Sequence, residues 1–156
     1  MKKDIFIDDN IAKNFVNPVD PEYIKLMNWL NMFKHNPSCD AYLVVSKKLL
    51  EEYNGTHATC KEAQNICVIV ATLQIQGRLI IKNNKELREF RRKHYKKHIC
   101  THFTCSKPDR EYHIPTVLLS NRRYALSIDK NFVNDLSRFP GFTVTVAKRP
   151  ESINYI

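Results

Sequence analysis

The sequence has no long apolar segment, no leader-like beginning and no internal repeat. No run of about 18 apolar residues occurs, so we expect no membrane-spanning helix. After Met1-Lys2-Lys3 the first apolar stretch is short and is interrupted by Asp4 and Asp8, unlike a secretory signal peptide. These absences favour a cytoplasmic protein. A length of 156 residues suggests one domain, residues 1–156, with its own core.

The cysteines show no disulfide framework. Their number is odd, and we expect the chain to be intracellular, so reduced thiols are the default. Cys60 and Cys67 lie seven residues apart in an apolar helical pattern, which favours core packing over chemistry. The five cysteines are Cys39, Cys60, Cys67, Cys100 and Cys105.

Positive charge is concentrated in one part of the chain. Residues 82–110 carry ten basic residues against three acidic ones, which is seven of the nine net positive charges. Phe90, Tyr95 and Phe103 interrupt this basic segment, a mixture that fits a nucleic acid better than other polyanions. A solvated helix face is the alternative interpretation. The candidate RNA-binding residues are Arg88, Arg91, Arg92, Lys93, Lys96 and Lys97.

Strand and helix patterns alternate along the chain. Ser46 is expected to cap the helix after the second strand, Asn54-Gly55 to end it, and Gly77 to end the next one. The alternation predicts an α/β fold, a three-layer α/β/α sandwich around a mostly parallel sheet of four to five strands. Strands are predicted at about 4–8, 41–45, 79–81, 124–128 and 142–147, and helices begin near Pro21, Lys47, Thr59, Lys85, Glu111 and Asp129.

Carboxylates occur at four places that a parallel sheet would bring to one edge. Some directly follow predicted strands, and the others lie near the starts of helices. Ligands gather at the carboxyl ends of parallel strands, and carboxylates that meet there repel one another unless a cation neutralises them. Oxygen ligands suit Mg²⁺ or Mn²⁺. The acids are Asp8, Glu51 and Glu52, Asp109 and Glu111, and Asp129.

Three motifs, in this order, resemble those of PIN-domain ribonucleases. The run Phe6-Ile7-Asp8-Asp9-Asn10 is similar to the opening strand of that family. Residues 44–53 are similar to its second motif, in which an acid follows the serine after the strand, and this selects Glu52, six residues after Ser46. The run Ser127-Ile128-Asp129-Lys130-Asn131-Phe132 resembles the closing motif.

The remaining family motif, an aspartate before the last acid, has two candidates in this chain. The gapless match falls on Glu111, within Glu111-Tyr112-His113-Ile114. Asp109 lies two residues earlier and is the more usual residue type. Both remain candidates from the sequence.

The resemblance implies a metal-dependent endoribonuclease that hydrolyses phosphodiester bonds of single-stranded or structured RNA. Asp8, Glu52 and Asp129 would hold Mg²⁺ or Mn²⁺, and Asp109 or Glu111 would complete the catalytic acids. Asn10 and Ser127 would orient metal ligands or phosphate. The family includes toxins of toxin–antitoxin pairs, so an antitoxin protein and a second copy of the chain are candidate partners.

Two other interpretations stay open. The first is a non-catalytic nucleic-acid-binding module on the same PIN-like fold, with degenerate acids. The second is a zinc site, although the spacing of the candidate ligands does not match the usual pairs and His94 and His98 would form only half of one. The candidate zinc ligands are His94, His98, Cys100, His102 and Cys105.

Overall fold

The chain alternates strands and helices in a computed structural model that describes residues 2–16, 19–32, 36, 38–57 and 65–156. Within these residues no helix is both long enough and apolar enough to cross a membrane. The strands are β1 (Lys3–Ile7), β2 (Ala41–Ser46), β3 (Leu79–Lys82), β4 (Tyr124–Leu126) and β5 (Thr145–Ala147). The helices are α1 (Asp9–Ala12), α2 (Pro21–Asn31), α3 (Lys47–His57), α4 (Ile66–Ile75), α5 (Asn84–His94), α6 (Lys97–Cys100), α7 (Ile114–Leu119) and α8 (Lys130–Arg138).

The five strands form one all-parallel sheet in the order β3-β2-β1-β4-β5. Ile5 pairs with Leu43 on one side of β1, and Ile7 pairs with Leu126 on the other. The central strands are buried on both faces, which is why they read as unbroken apolar runs. The predicted α/β sandwich with a parallel sheet is confirmed.

The strand order reverses direction at β1. From β1 the chain proceeds outward to β2 and β3, and it later returns to place β4 and β5 on the other side of β1. A crevice opens beyond the carboxyl ends of the strands at such a switch point, and ligands bind there in open α/β sheets. The residues that follow β1 and β4 therefore occupy the position where a site is expected.

The helix boundaries near β2 and β3 confirm two predictions and correct a third. The Ser46 hydroxyl accepts the backbone N–H of Leu49 at 3.1 Å, as a helix cap does. Gly77 has φ 68° and ends the helix before β3. The prediction that Asn54-Gly55 ends α3 is wrong, because the helix continues to His57. The hydroxyl of Thr56 donates to Asp9 Oδ2 at 2.8 Å and anchors this last turn.

The predicted helix start at Thr59 lies outside the described residues. In the basic region, α5 begins with a reciprocal cap between Asn83 and Glu86 and ends at His94, three residues before the predicted end at Lys97. The predicted helix from Glu111 instead begins as a π-helical turn, Asp109–His113, and continues as α7. This wider turn matters for the site.

Candidate functional site

Asp8 lies directly after β1, at the switch point of the sheet. Its Oδ1 accepts the backbone N–H of Asp9 at 2.8 Å. Its Oδ2 accepts the Ser127 hydroxyl at 2.6 Å and the Asn10 side-chain amide at 3.2 Å. Ser127 follows β4 and is fully buried. The loops after β1 and β4 are thus joined through the carboxylate of Asp8.

Asp129 belongs to the same junction. It caps α8 by accepting the N–H groups of Asn131 and Phe132 on Oδ1, at 3.0 and 3.1 Å. Its own N–H donates to the Ser127 hydroxyl oxygen at 3.1 Å, so one serine contacts both Asp8 and the backbone of Asp129. The carboxylate of Asp129 stays partly exposed.

Asn10 and Ser127 hold the two loops in register. The side-chain oxygen of Asn10 accepts the backbone N–H of Ile128 at 3.2 Å, and its side-chain nitrogen donates to the Ser127 hydroxyl oxygen at 3.3 Å. Both residues were expected from the motifs to orient groups at the site. The structure places them between the loops that carry Asp8 and Asp129.

Glu52 enters the site from α3 and pairs with a histidine that the motifs did not predict. His113 Nε2 lies 3.0 and 2.9 Å from the two carboxylate oxygens of Glu52. The imidazole is 1% exposed and packs against the rings of Phe6 and Phe132. Only a weak sequence signal points to His113, which lies four residues after the candidate acid Asp109, within a predicted helix.

The structure distinguishes the two candidates for the remaining acid. Asp109 is buried, and its Oδ1 lies 3.9 Å from His113 Nε2. Glu111 is directed to the surface, where its Oε1 lies 3.9 Å from Lys107 Nζ. The π-helical turn spans five residues and places Asp109 and His113 together, and single π turns of this kind recur at functional sites. Asp109 joins the cluster and Glu111 does not.

The charges of the clustered acids influence one another. Burial, together with the negative charges of Asp8 and Asp129, raises the pKa of Asp109 to about 6, against the opposing effect of His113. Burial also raises the pKa of Asp8, and the charge of Glu52 adds to this. Burial works against protonation of His113, but Glu52, Asp8 and Asp109 outweigh it and raise its pKa. The site concentrates negative charge around one imidazole.

The donor atoms of the cluster suit a hard divalent cation. Asp8, Asp109, Asp129 and Glu52 offer carboxylate oxygens, which Mg²⁺ and Mn²⁺ prefer. Asp8 and Asp109 are acids whose raised pKa values reflect burial and mutual repulsion, which a cation would relieve. Among the residues that the structure describes, no group of three or more His, Cys, Asp or Glu side chains is arranged so that it could hold a metal ion.

Two of the five candidate zinc ligands, His94 and Cys105, are packed against other residues, whereas His98, Cys100 and His102 are exposed. The imidazole of His94 packs on the rings of Phe90 and Phe142, with centroids 4.5 and 5.2 Å away. Cys105 is buried beside Asp135, and burial and that carboxylate raise the pKa of its thiol far above the usual value. These contacts are those of packed residues in the wall of the fold.

The basic segment divides into exposed cations and one structural arginine. Arg91 is half-buried, donates from Nη1 to the backbone carbonyl of Glu111, and lies over the ring of Tyr112 at 5.9 Å. It therefore holds α5 against the π-helical turn. The exposed members are Arg88, Arg92, Lys93, Lys96 and Lys97.

A small cleft adjoins the acidic cluster between the first turns of α3 and α5. It has a volume of about 90 Å³ and is lined by Lys47, Lys48, Glu51, Asn84 and Tyr112. Lys48 lies one helical turn before Glu52, and Glu51 lines the cleft together with the two lysines.

No family model, no curated protein and no solved structure matches this chain. Its function must therefore be inferred from the site itself.

Proposed function

We propose that the protein is a metal-dependent endoribonuclease of the PIN-domain type. The observation that carries the proposal is the junction at the switch point, where Ser127 contacts both Asp8 and Asp129. Asp109 and Glu52 reach the same cluster from two further elements. Four acids from separate parts of the sequence lie where α/β sheets bind ligands, and a shared cation would neutralise the repulsion between them.

Asp8, Asp109, Asp129 and Glu52 would hold Mg²⁺ or Mn²⁺. Such an ion lowers the pKa of bound water and stabilises the negative charge that develops on a phosphodiester during hydrolysis. Ser127 and Asn10 keep the carboxylate of Asp8 at a fixed angle to the loop of Asp129. His113 holds Glu52 from the core side, so the glutamate is positioned before any ligand arrives.

Substrate binding would fall to the cations around the cluster. A net charge of +9 favours a polyanion, and the cleft with Lys47 and Lys48 opens next to Glu52. The exposed residues of α5 and α6, Arg92 and Lys97 among them, extend this positive surface. The proposal includes RNA as the substrate and a cytoplasmic location, and it leaves an antitoxin and a homodimer as candidate partners.

Replacing Asp8 with Asn tests the proposal, because the change keeps the size and removes the charge. Cleavage of a labelled single-stranded RNA in Mn²⁺ should fall by orders of magnitude. RNA affinity, measured by filter binding at fixed salt, should stay the same or rise, since an anionic repulsion is gone. Glu111→Gln is the control for loss of an acid, because Glu111 lies on the π-helical turn and pairs with Lys107 outside the cluster, and it should cleave like wild type. Equal cleavage by wild type and Asp8→Asn would refute the nuclease.

A specific contact favours a second candidate, a nucleic-acid-binding module without catalysis. Both oxygens of Glu52 face His113, and Asp109 lies close to the same nitrogen. The single positive charge of the imidazolium can thus offset the charge of Glu52 and attract Asp109 without any metal. Wild-type protein that binds RNA tightly but never cleaves it, at any Mg²⁺ or Mn²⁺ concentration, would select this candidate.

A further inference from the structure

A second depression lies away from the acidic cluster, between α6, the loop after it and the end of α8. Its volume is about 620 Å³, within the range of roughly 300–1,000 Å³ typical of small-ligand sites. We call it the α8 pocket. Its floor is formed by Ile99, Phe103 and Phe139, and its rim by His98, His102 and Arg138.

The floor of the α8 pocket is aromatic and apolar. The rings of Phe103 and Phe139 are close to parallel, with an interplanar angle of 28° and centroids 6.4 Å apart. Tyr95 packs against both rings from behind, at 5.1 and 5.8 Å. This arrangement supports the floor from the protein side and leaves Phe103 partly exposed. A flat ligand ring has a matching surface here.

The rim of the α8 pocket has one permanently charged cation, Arg138, beside two histidines. His98, His102 and Arg138 are all exposed, and Arg138 has no acidic partner among the described residues. The acid in the wall, Asp135, accepts the N–H groups of Thr104 and Cys105 and the Thr104 hydroxyl, each within 2.9 Å. The carboxylate of Asp135 is therefore held in the buried wall, whereas the guanidinium of Arg138 is exposed on the rim.

The α8 pocket is continuous with the acidic cluster along two elements. α8 begins at the Asp129 cap and ends at Arg138, about 13 Å away at about 1.5 Å per residue. On the opposite wall, the chain runs from Thr104 to Asp109 in five residues. A stacked RNA strand covers about 13 Å in about four nucleotides, and fewer when it is extended.

We propose that the α8 pocket binds one nucleotide of the RNA strand, a few nucleotides from the bond that is cleaved. The base stacks on the partly exposed ring of Phe103, which the buried Phe139 supports, and its phosphate contacts Arg138 and the rim histidines. An aromatic floor inside a positive groove binds single-stranded RNA with little sequence preference. This inference rests on the proposed function for its choice of ligand, and it extends that function by defining the path of the substrate.

Two variants test the two halves of the pocket separately. Binding of a labelled 12-nucleotide single-stranded RNA is measured in chelator, so that no cleavage interferes, and inorganic polyphosphate serves as a probe without bases. Arg138→Gln should weaken both ligands and reduce the slope of log affinity against log salt by about 0.7. Phe103→Leu keeps an apolar side chain and should weaken RNA about tenfold while polyphosphate affinity is unchanged.

Lys25→Gln is the matched control for lost charge, because Lys25 is exposed on α2, outside both sites, and its loss should leave the salt slope unchanged. Melting curves establish that Phe103→Leu is folded, and Arg138 is exposed enough for its replacement to leave folding intact. Wild-type affinity in both pocket variants would overturn the inference, as would equal losses of RNA and polyphosphate in Phe103→Leu. Absence of RNA binding by wild type would also overturn it.

Different outcomes would refute the proposed nuclease activity and the proposed RNA binding at the α8 pocket. If Asp8→Asn cleaves like wild type while both pocket variants lose RNA affinity, the nuclease is refuted and the pocket stands. If Asp8→Asn loses cleavage while the pocket variants bind like wild type, the reverse holds. A dinucleotide substrate provides a third test, because it is too short to reach the pocket even when extended, and its cleavage should not respond to Arg138→Gln.

Discussion

His113 and Glu52, 61 residues apart in the sequence, form a pair in which one imidazole nitrogen faces both carboxylate oxygens. The imidazole is enclosed by the core, whereas the carboxylate is about a quarter exposed. Glu52 is therefore held from inside the protein and presented to the edge of the sheet. This pair connects the stability of the fold to the arrangement of the acids.

Replacing His113 with Gln should lower the free energy of unfolding by about 1–3 kcal/mol. Loss of one partner of a fully buried ion pair costs about 3–5 kcal/mol, and the exposure of Glu52 reduces this. Urea denaturation near pH 6 measures the change. In a double-mutant cycle, His113→Gln should cost less in a Glu52→Gln background, and strict additivity would mean that the pair contributes nothing.

Stability should fall as the pH rises from about 4 to about 6. Burial raises the pKa of Asp109 from 3.8 to about 6, so in this window the folded protein binds more protons than the unfolded chain. Asp109→Asn should remove this part of the fall, measured by urea denaturation across the pH series without metal. Glu111→Gln is the control that should retain it. A profile for Asp109→Asn that matches wild type would contradict the prediction.

A second fall in the stability of the fold, separate from that caused by Asp109, should follow at higher pH. The carboxylates around His113 raise its pKa in the folded state, so its stabilising charge is complete below about pH 6.5 and is lost as the pH rises through the folded value. NMR titration of the imidazole in wild-type protein should give a pKa above that of a free histidine. A value at or below 6.5 would mean that burial outweighs the carboxylates.

Mn²⁺ or Mg²⁺ should raise the melting temperature at pH 7. A ligand at 100 times its Kd stabilises the folded state by about 2.7 kcal/mol, or about 5–10 °C for a chain of this size. The effect should shrink at pH 5, where Asp109 is protonated, and should be lost in Asp8→Asn. Glu111→Gln should respond like wild type. Equal shifts in Asp8→Asn and wild type would place the ion elsewhere.

Arg91 and Arg92 are adjacent in the sequence and should behave differently. Arg91→Gln should destabilise the protein by about 1 kcal/mol, because its bond to the Glu111 carbonyl and its packing on Tyr112 are lost. Arg92→Gln, at an exposed position, should leave stability unchanged and weaken RNA binding with a smaller salt slope. Thermal melts and binding across a salt series compare the two. The reverse pattern would assign Arg91 to the substrate.

Most of the sheet was predictable from the sequence because its signals are local. β1 and β2 are buried apolar runs, and β3 is a short apolar run at the edge of the sheet. The Asp20-Pro21 start of α2 has its expected cap, with Asp20 accepting the N–H of Glu22 at 3.0 Å. The predicted end of α3 at Gly55 failed because the tertiary bond of Thr56 to Asp9 carries the helix further. A local stop signal is weak when a distant contact opposes it.

The sequence by itself determined that acids follow β1 and β4, since Asp8 comes directly after β1, Asp129 comes three residues after the end of β4, and each caps the next helix. The tertiary structure decided which of the other acids join them. The choice of Asp109 over Glu111, the capture of Glu52 by His113 and the inward turn of Arg91 all depend on the π-helical turn at Asp109–His113. Such a turn rotates side chains by an amount that residue spacing does not encode, and only packing between distant segments selects it.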